Sequence, residues 1–251
     1  MKQTFFCAII ILFLFGCDKA DISYGGGPAY NTTSGKGGSM ARFTIVGNYL
    51  YTVDKQDLKV YNISDASNPV FSTSIPVGFE IETIYPFKNY LFIGSTSMVH
   101  IFTIDDPAKP QKTSEAISPT VVRRCDPVVA KDTVAYATLR TNGQCGGTQS
   151  ILAVYDIKDI KHPVQKSAYP VSEPYGLGYN NNVLYVCDKY NGLMVFDISN
   201  AYNPVLLKAV KDGSYLDVIP FNNMLLCWTT KGMILYDISD NRNPTRLTTI
   251  I

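Results

Sequence analysis

Large apolar residues recur at every second position in many short segments along the chain. Clear examples are Leu58-Lys-Val-Tyr-Asn, Leu152-Ala-Val-Tyr-Asp and Leu193-Met-Val-Phe-Asp, each with an aromatic residue on the face opposite to the alternating apolar ones. A period of two residues indicates β-strands, and the aromatic on the second face indicates that both faces are partly covered. No segment has the spacing of about 3.6 residues that would indicate a helix.

The alternating segments belong to a unit that recurs five times between residues 40 and 251. Each unit has an Ile followed six positions later by a Pro, and these prolines are Pro69, Pro110, Pro163, Pro204 and Pro244. Their spacings are 41, 53, 41 and 40 residues, so only the third unit is longer. The Pro falls between the third and fourth strand-like segments, where its missing N–H breaks no strand pairing.

Four strands in a repeat of about 41 residues predict a β-propeller blade. We therefore expect an all-β fold, a β-propeller of five four-stranded blades, each built from contiguous chain. A β-sandwich would not explain the period, and a β-helix would have shorter coils.

The first sixteen residues contain Lys2 and an apolar run of eleven residues, Phe5 to Phe15. This run is too short to span a bilayer but suits a signal peptide. It ends in Leu14-Phe15-Gly16-Cys17, which resembles the bacterial lipobox. The resemblance implies cleavage before Cys17, acylation of that residue and anchoring in a lipid bilayer. An ordinary cleaved signal or an uncleaved short anchor is the alternative.

The segment after Cys17 is rich in Gly, Ser, Thr and Asn and lacks apolar periodicity, as is typical of a flexible tether. The predicted organisation is a lipoprotein signal peptide at 1–16, a lipidated Cys with a Gly-rich tether at 17–39, and a five-repeat propeller at 40–251. The expected location is the bacterial cell envelope, as an outer-membrane lipoprotein on the surface or the periplasmic face.

In the fourth unit, the stretch from Leu184 to Pro204 contains Leu-Tyr-Val and then Gly-Leu-x-Val-x-Asp-Ile-Ser-x-x-x-Asn-Pro. This phrase resembles the LVIVD repeat of bacterial surface and secreted proteins, and looser versions occur in all five units. The resemblance implies a WD40-like propeller outside the cytoplasm. It implies little about mechanism, because the roles of such proteins are mostly undefined.

The charge of the chain restricts its partners. The 251 residues include 22 Lys+Arg and 21 Asp+Glu, and charged residues make up only 17%. Lys2 is the only charged residue of the signal peptide, so the mature chain has no formal net charge. Because nucleic-acid binding needs a clustered basic surface, no nucleic-acid partner is expected. Recognition should instead depend on loops and aromatic rings.

The side chains suited to catalysis or metal binding are few. His100 and His162 have no sequence partners that indicate a catalytic triad or a zinc site, and no phosphate-binding glycine motif is present. We therefore expect no catalytic residue, no metal and no cofactor.

Four cysteines remain in the repeats. Cys125 and Cys145 form a possible disulfide that would pin the long insertion of the third unit. Cys187 and Cys227 lie in second strands of neighbouring units and are expected to be buried thiols.

In WD40-like blades, the loops between strands two and three and those between consecutive blades share one face, at the mouth of the central channel. The residues that the repeats align there form the candidate ligand site. They are Arg42, Glu82, Arg124, Asp126, Tyr175, Asp188, Tyr215 and Asp217.

Two function classes fit this pattern. The first is a non-catalytic module that binds a protein or a glycan through its loop face. The alternative is a glycosidase-like hydrolase that uses Glu82, Asp126 and Asp217, because glycoside hydrolysis needs two carboxyl groups at a set separation. A purely structural role in the envelope is a third possibility.

Overall fold

The computed structural model describes residues 37–96, 98–119, 127–141 and 149–250. These residues form twenty β-strands in five sheets, and each sheet contains four consecutive antiparallel strands. The predicted five-bladed, all-β propeller is therefore confirmed. None of the described residues forms a helix long and apolar enough to cross a membrane.

Each blade starts at its inner strand and ends at its outer strand. Blade one contains β1 (Phe43–Val46), β2 (Tyr49–Val53), β3 (Asp57–Asn62) and β4 (Val70–Pro76). Blade two contains β5 (Ile81–Phe87), β6 (Tyr90–Ser95), β7 (Val99–Thr103) and β8 (Gln111–Ala116). Blade three contains β9 (Val128–Lys131), β10 (Val134–Leu139), β11 (Ser150–Asp156) and β12 (Val164–Val171). Blade four contains β13 (Pro174–Asn180), β14 (Val183–Asp188), β15 (Gly192–Asp197) and β16 (Val205–Val210). Blade five contains β17 (Tyr215–Phe221), β18 (Met224–Thr229), β19 (Gly232–Asp237) and β20 (Thr245–Ile250).

The repeated aromatic of the third strand marks an irregularity that recurs in every blade. The register between the third and fourth strands shifts directly before this residue. The residues concerned are Tyr61, Phe102, Tyr155, Phe196 and Tyr236. A bulge increases the local twist of a sheet, so each of the five blades bends at this point.

Tyrosines of the second strands connect neighbouring blades. The hydroxyl of Tyr51 donates to the carbonyl of Pro107 at 2.9 Å, and that of Tyr136 donates to the carbonyl of Ala201 at 2.9 Å. Tyr185 donates in the same way to Asn241 at 2.6 Å. In all three cases the acceptor lies in the turn between strands three and four of the next blade.

The apolar core is divided among the junctions between successive blades. One buried cluster lies between each pair from blades one and two to blades four and five. The described residues form no such cluster between blade five and blade one. Trp228 of blade five lies on the face opposite to the one that packs on blade four, and Phe43 of blade one lies on the face opposite to the one that packs on blade two. These two side chains are 63% and 61% exposed. The junction between the last and first blades therefore differs from the other four.

Candidate functional site

The loop face of the propeller is set by the strand register. The start of β13 pairs with the end of β14 through Pro174 and Asp188, and the start of β17 pairs with the end of β18 through Tyr215 and Thr229. The loops between blades and the turns between strands two and three therefore lie on one face. The inner strands surround a channel below this face. The channel contains a cavity of about 290 Å³ lined by residues of β5, β9, β13 and β17 together with Gly37 and Ser39.

The first described residues, Gly37 to Ala41, occupy part of this channel, and we call them the channel segment. The segment reverses direction in a turn closed by the Ala41 N–H and the Gly38 carbonyl at 3.1 Å. Ser39 is 1% exposed, and its Oγ accepts the N–H of Leu177 at 2.7 Å. The Gly-rich composition predicts that residues 37–39 belong to the tether, but in the structure Gly38 and Ser39 are buried, and Ser39 is hydrogen-bonded to blades four and five. The boundary of the head therefore lies before residue 40.

Asp217 faces the channel segment from blade five. Its carboxylate accepts hydrogen bonds from Ser39 Oγ and from the Met40 N–H, both at 3.4 Å, and from the Val218 N–H at 2.9 Å. A Cβ atom on Gly176 would lie 2.9 Å from Asp217 Cα, so the close approach requires a glycine. Burial raises the pKa of the Asp217 carboxyl to about 6, although these hydrogen bonds oppose the rise.

We expect the stability of Asp217→Asn relative to wild type to be about 2–3 kcal/mol greater at pH 7 than at pH 4, because the amide carries no charge to bury and the pKa of the wild-type carboxyl is raised from 3.8 to about 6. The raised pKa means that the native state binds a proton more tightly than the unfolded chain, whose carboxyl titrates near 3.8. Stability from this proton is present below pH 3.8 and is lost as the pH rises to about 6. The stability of the variant relative to wild type should therefore fall between pH 7 and pH 4, which urea unfolding at the two pH values would measure.

Asp240→Asn is the matched control. Hydrogen bonds from the Asn243 side chain and the Arg242 N–H lower the pKa of the exposed Asp240 carboxyl. This variant should lose stability at neutral pH. Equal pH profiles for wild type and Asp217→Asn would contradict the buried position of Asp217.

Four blades contribute charged and aromatic groups to the channel mouth. The Arg140 guanidinium, which follows β10, lies over the Tyr175 ring of β13 at 4.2 Å from its centroid. Glu82 of β5 is half-buried, and burial raises the pKa of its carboxyl, whereas the nearby positive charges of Arg140 and Arg42 oppose the rise. We call Arg42, Glu82, Arg140 and Tyr175 the mouth cluster.

Other polar residues of this face support loops. Asp188 is fully buried, and its two carboxylate oxygens accept four backbone N–H groups at 2.8–3.0 Å. These donors belong to the two adjacent loops, at residues 172–173 and 190–191. Asp188 therefore holds the loops in place and has little accepting capacity left for a ligand.

Tyr215 lies away from the mouth. Its side chain is fully buried in the cluster between blades four and five, and its hydroxyl bonds with Asp212 and with the hydroxyl of Tyr236. Of the predicted ligand site, the structure thus brings together Arg42, Glu82 and Tyr175, with Asp217 below them in the channel. Simple alternation along the strand would place Tyr215 and Asp217 on the same face. The register shift between these two residues gives them different surroundings, and the sequence does not show that shift.

Several predicted residues lie outside the described part of the chain. They are Cys17, Arg124, Cys125, Asp126 and Cys145. The possible disulfide between Cys125 and Cys145 and the acylation of Cys17 stay predictions.

The remaining cysteines and histidines are separate from the mouth cluster. Cys187 and Cys227 are buried free thiols, and burial raises the pKa of each. His100 is buried in β7 with its Nδ1 3.3 Å from Glu115, and His162 lies exposed in a turn beside Asp159. Among the described residues, no three His, Cys, Asp or Glu side chains are grouped so that they could hold a metal ion.

Arg140 is the member of the mouth cluster that sequence reasoning missed. The repeat alignment considers the start of each first strand and the end of each second strand, and Arg140 comes directly after the latter. The position of Arg140 at the base of the insertion in unit three could have indicated its role, because a long side chain there extends either to the channel mouth or into solvent.

Comparisons with known proteins agree with this architecture. The LVIVD repeat family matches residues 37–76 and 180–212, which correspond to blade one and most of blade four. No curated protein matches the sequence significantly.

Solved structures resemble the chain in fold. The periplasmic gluconolactonase of Pseudomonas aeruginosa aligns with a TM-score of 0.62 at 12% identity, over 83% of this chain and 67% of that one. A protein from Lactobacillus plantarum aligns with a TM-score of 0.61 at 13% identity, over 82% and 72%. The computationally designed Ika8 protein aligns with a TM-score of 0.57 at 13% identity, over 83% of this chain but only 60% of its own length.

The alignments thus span about 60% of the designed protein and about two thirds of the gluconolactonase. At these identities the likeness concerns the fold alone. The repeats, the five sheets and these alignments together identify the chain as a β-propeller that carries LVIVD repeats.

Proposed function

We propose that this protein is a membrane-anchored, non-catalytic binding module that takes a protein or glycan ligand at the mouth of its propeller. The observation that carries the proposal is the mouth cluster. There, Arg140 stacks on Tyr175 beside the half-buried Glu82, and the three residues come from three different blades.

The mouth cluster offers the groups that polar ligands use. A guanidinium donates several hydrogen bonds in a fixed plane, and a carboxylate accepts them, so sugar hydroxyls and peptide amides both find partners here. The groups lie where loops extend from a rigid scaffold, which is where binding residues concentrate in propellers and other folds. Tyr175 also packs against the apolar core between blades four and five, whereas Arg42, Glu82 and Arg140 belong to none of the four apolar clusters.

The engagement of the other carboxylates supports binding over catalysis. Glycoside hydrolysis needs two free carboxyl groups separated by about 5–9.5 Å. Asp188 caps two loops, and Asp217 is covered by Ser39 and Met40 of the channel segment. Glu82 keeps access to a ligand, and the positive charges of Arg140 and Arg42 act on its carboxyl together with the negative charge of Glu80.

The location is part of the proposal and rests on the amino-terminal sequence. An apolar run followed by Leu14-Phe15-Gly16-Cys17 supports acylation of Cys17 and attachment to the outer membrane of a bacterial envelope. The Gly-rich tether would let the propeller stand clear of the lipid, with its loop face available to a ligand.

The binding proposal predicts that mouth-cluster variants lose ligand without unfolding. The full chain in detergent would be applied to arrays of defined oligosaccharides and of peptides. For any probe that is retained, Arg140→Ala and Tyr175→Ala should weaken binding about tenfold or more, because each removes a group that contacts the ligand directly. Lys55→Ala is the control, since Lys55 is exposed in a turn of the same face.

The hydrolase alternative has its own observation, the raised pKa of the Glu82 and Asp217 carboxyl groups, which is a property of general acids. Turnover of an arrayed glycan or peptide that disappears in Asp217→Asn would establish the alternative and overturn the non-catalytic proposal. Binding that is equal in wild type and both mouth variants would overturn the assignment of the site.

A further inference from the structure

A second cavity lies on the loop face, between blades four and five and away from the channel. Its volume is about 510 Å³. Its walls are the turn at 189–190 of blade four, the connecting loop at 211–214, the turn at 229–231 of blade five and the outer strand β20. We call it the rim pocket.

The rim pocket has an excess of positive charge. Lys189, Lys211, Lys231 and Arg246 line it, and Asp212 is the single carboxylate among the described residues that do so. Lys189 is paired outside the pocket, because its Nζ lies 3.1 Å from both carboxylate oxygens of Glu173. Arg246 is paired with Asp212 at 3.1 Å.

Asp212 is already engaged by other groups and makes no ion pair with the two remaining lysines. One of its oxygens accepts the hydroxyls of Tyr215 and Tyr236, and the other accepts Arg246 Nη1. Burial alone would raise the pKa of the Asp212 carboxyl, but these hydrogen bonds outweigh burial and lower it, so the group stays ionised and occupied. Within the described parts of the chain, neither Lys211 nor Lys231 has a carboxylate within ion-pair distance.

Two further features give the pocket a defined shape. Arg246 is held in place because its Nη2 also donates to Thr249 Oγ1 at 2.6 Å. The ring of Tyr190 forms an exposed wall, 63% accessible, with the Lys189 ammonium 5.3 Å from its centroid. An aromatic wall beside unpaired ammonium groups suits a ring-shaped ligand that carries an anionic substituent.

We propose that the rim pocket binds an acidic saccharide, with its carboxylate between Lys211 and Lys231 and its sugar ring against Tyr190. This site is distinct from the mouth cluster and does not depend on the function proposed for it. It explains how a chain with a formal net charge of only +1 can attract an anion, since the positive charge is local rather than spread over the surface.

The test compares an α-1,4-linked galacturonic acid trimer with the corresponding neutral galactose trimer by calorimetry, using the full chain in detergent. The acidic trimer should bind and the neutral trimer should bind at least about tenfold more weakly, since the two differ only in the carboxylates. Lys211→Gln/Lys231→Gln should reduce affinity for the acidic trimer about tenfold or more. Raising the salt concentration should weaken binding of the acidic trimer to the wild-type protein.

The control variant Lys55→Gln/Lys161→Gln removes the same charge from exposed turns elsewhere and should bind as wild type does. Equal affinity for the two trimers, no binding of the acidic trimer, or an unchanged affinity in Lys211→Gln/Lys231→Gln would each overturn the proposal. Tyr190→Ala separates a saccharide from a simple anion. If that variant binds the trimer as tightly as wild type and inorganic sulfate competes at equal concentration, the pocket takes an anion alone and the saccharide assignment is wrong.

Discussion

Replacing Gly178 by valine is expected to destabilise the propeller by about 3 kcal/mol, because the added side chain meets groups that cannot move aside. Gly178 lies in β13, the inner strand of blade four, against β17 of blade five. A Cβ atom here would lie 2.7 Å from Pro220 Cδ and 2.9 Å from the carbonyl oxygen of Val218. A proline ring and a backbone carbonyl have no alternative rotamer, so the two inner strands would have to separate.

The measurement is the midpoint of urea unfolding, with the slope checked for constancy. Gly213→Ala is the matched control in the neighbouring loop. Its Cβ would meet Ile234 Cδ1 at 3.2 Å, which is the end of a side chain that can rotate, so the loss should stay within about 1 kcal/mol. A Gly178→Val protein as stable as wild type would show that β13 and β17 do not approach closely.

The same close approach shapes the candidate site. Since β13 carries glycines at 176 and 178, Asp217 and the channel segment can fit beside it. Opening this junction would therefore also move Asp217 away from Ser39 and Met40. Gly176 and Gly178 therefore allow both the close packing of β13 on β17 and the covering of the Asp217 carboxylate by the channel segment.

The blades could be predicted from sequence because the information is local. Alternation in Leu152–Asp156 and its equivalents specifies a strand with two covered faces, and β11 is indeed buried along almost its whole length. Five copies of this pattern at a regular period leave few alternatives to a propeller. The bulge directly before Tyr155 and its equivalents was not predictable, because pairing register depends on the partner strand.

The junction between blades five and one lay beyond sequence reasoning. Trp228 alternates along its strand as a core residue would, yet it is 63% exposed. The angle between successive blades decides whether the last blade packs on the first, and that angle arises from the four junctions together. The sequence of a single segment therefore does not predict this angle.

The candidate site was predicted in part for the same reason. Glu82 and Tyr175 were found because the repeats align the inner-strand starts that point at the mouth. Ser39 was missed because Gly and Ser in its neighbourhood are equally typical of a free tether. The rim pocket was missed because Lys211, Lys231 and Arg246 come from separate loops and strands, and sequence does not tell which lysines lack a carboxylate partner.

Replacing Cys17 by alanine is expected to move the protein completely from the membrane fraction to the soluble fraction. The lipobox resemblance implies that acyl chains on Cys17 attach the mature chain to the membrane, and each buried CH₂ contributes about 0.8 kcal/mol to this attachment. One acyl chain gives weak, reversible binding, whereas several together anchor a protein stably. Removing the acceptor residue removes all of them at once, so the effect should be total.

The experiment combines cell fractionation after a carbonate wash with metabolic labelling by a fatty acid. Cys7→Ala is the matched control, because Cys7 lies within the predicted signal peptide and should leave both membrane attachment and labelling of the mature protein unchanged. A Cys17→Ala protein that stays in the washed membrane fraction would show that the uncleaved apolar run, Phe5 to Phe15, holds the chain instead. Release of Cys17→Ala with retained binding of the mouth ligand would further show that anchoring and recognition are separable, since the tether joins two parts that act independently.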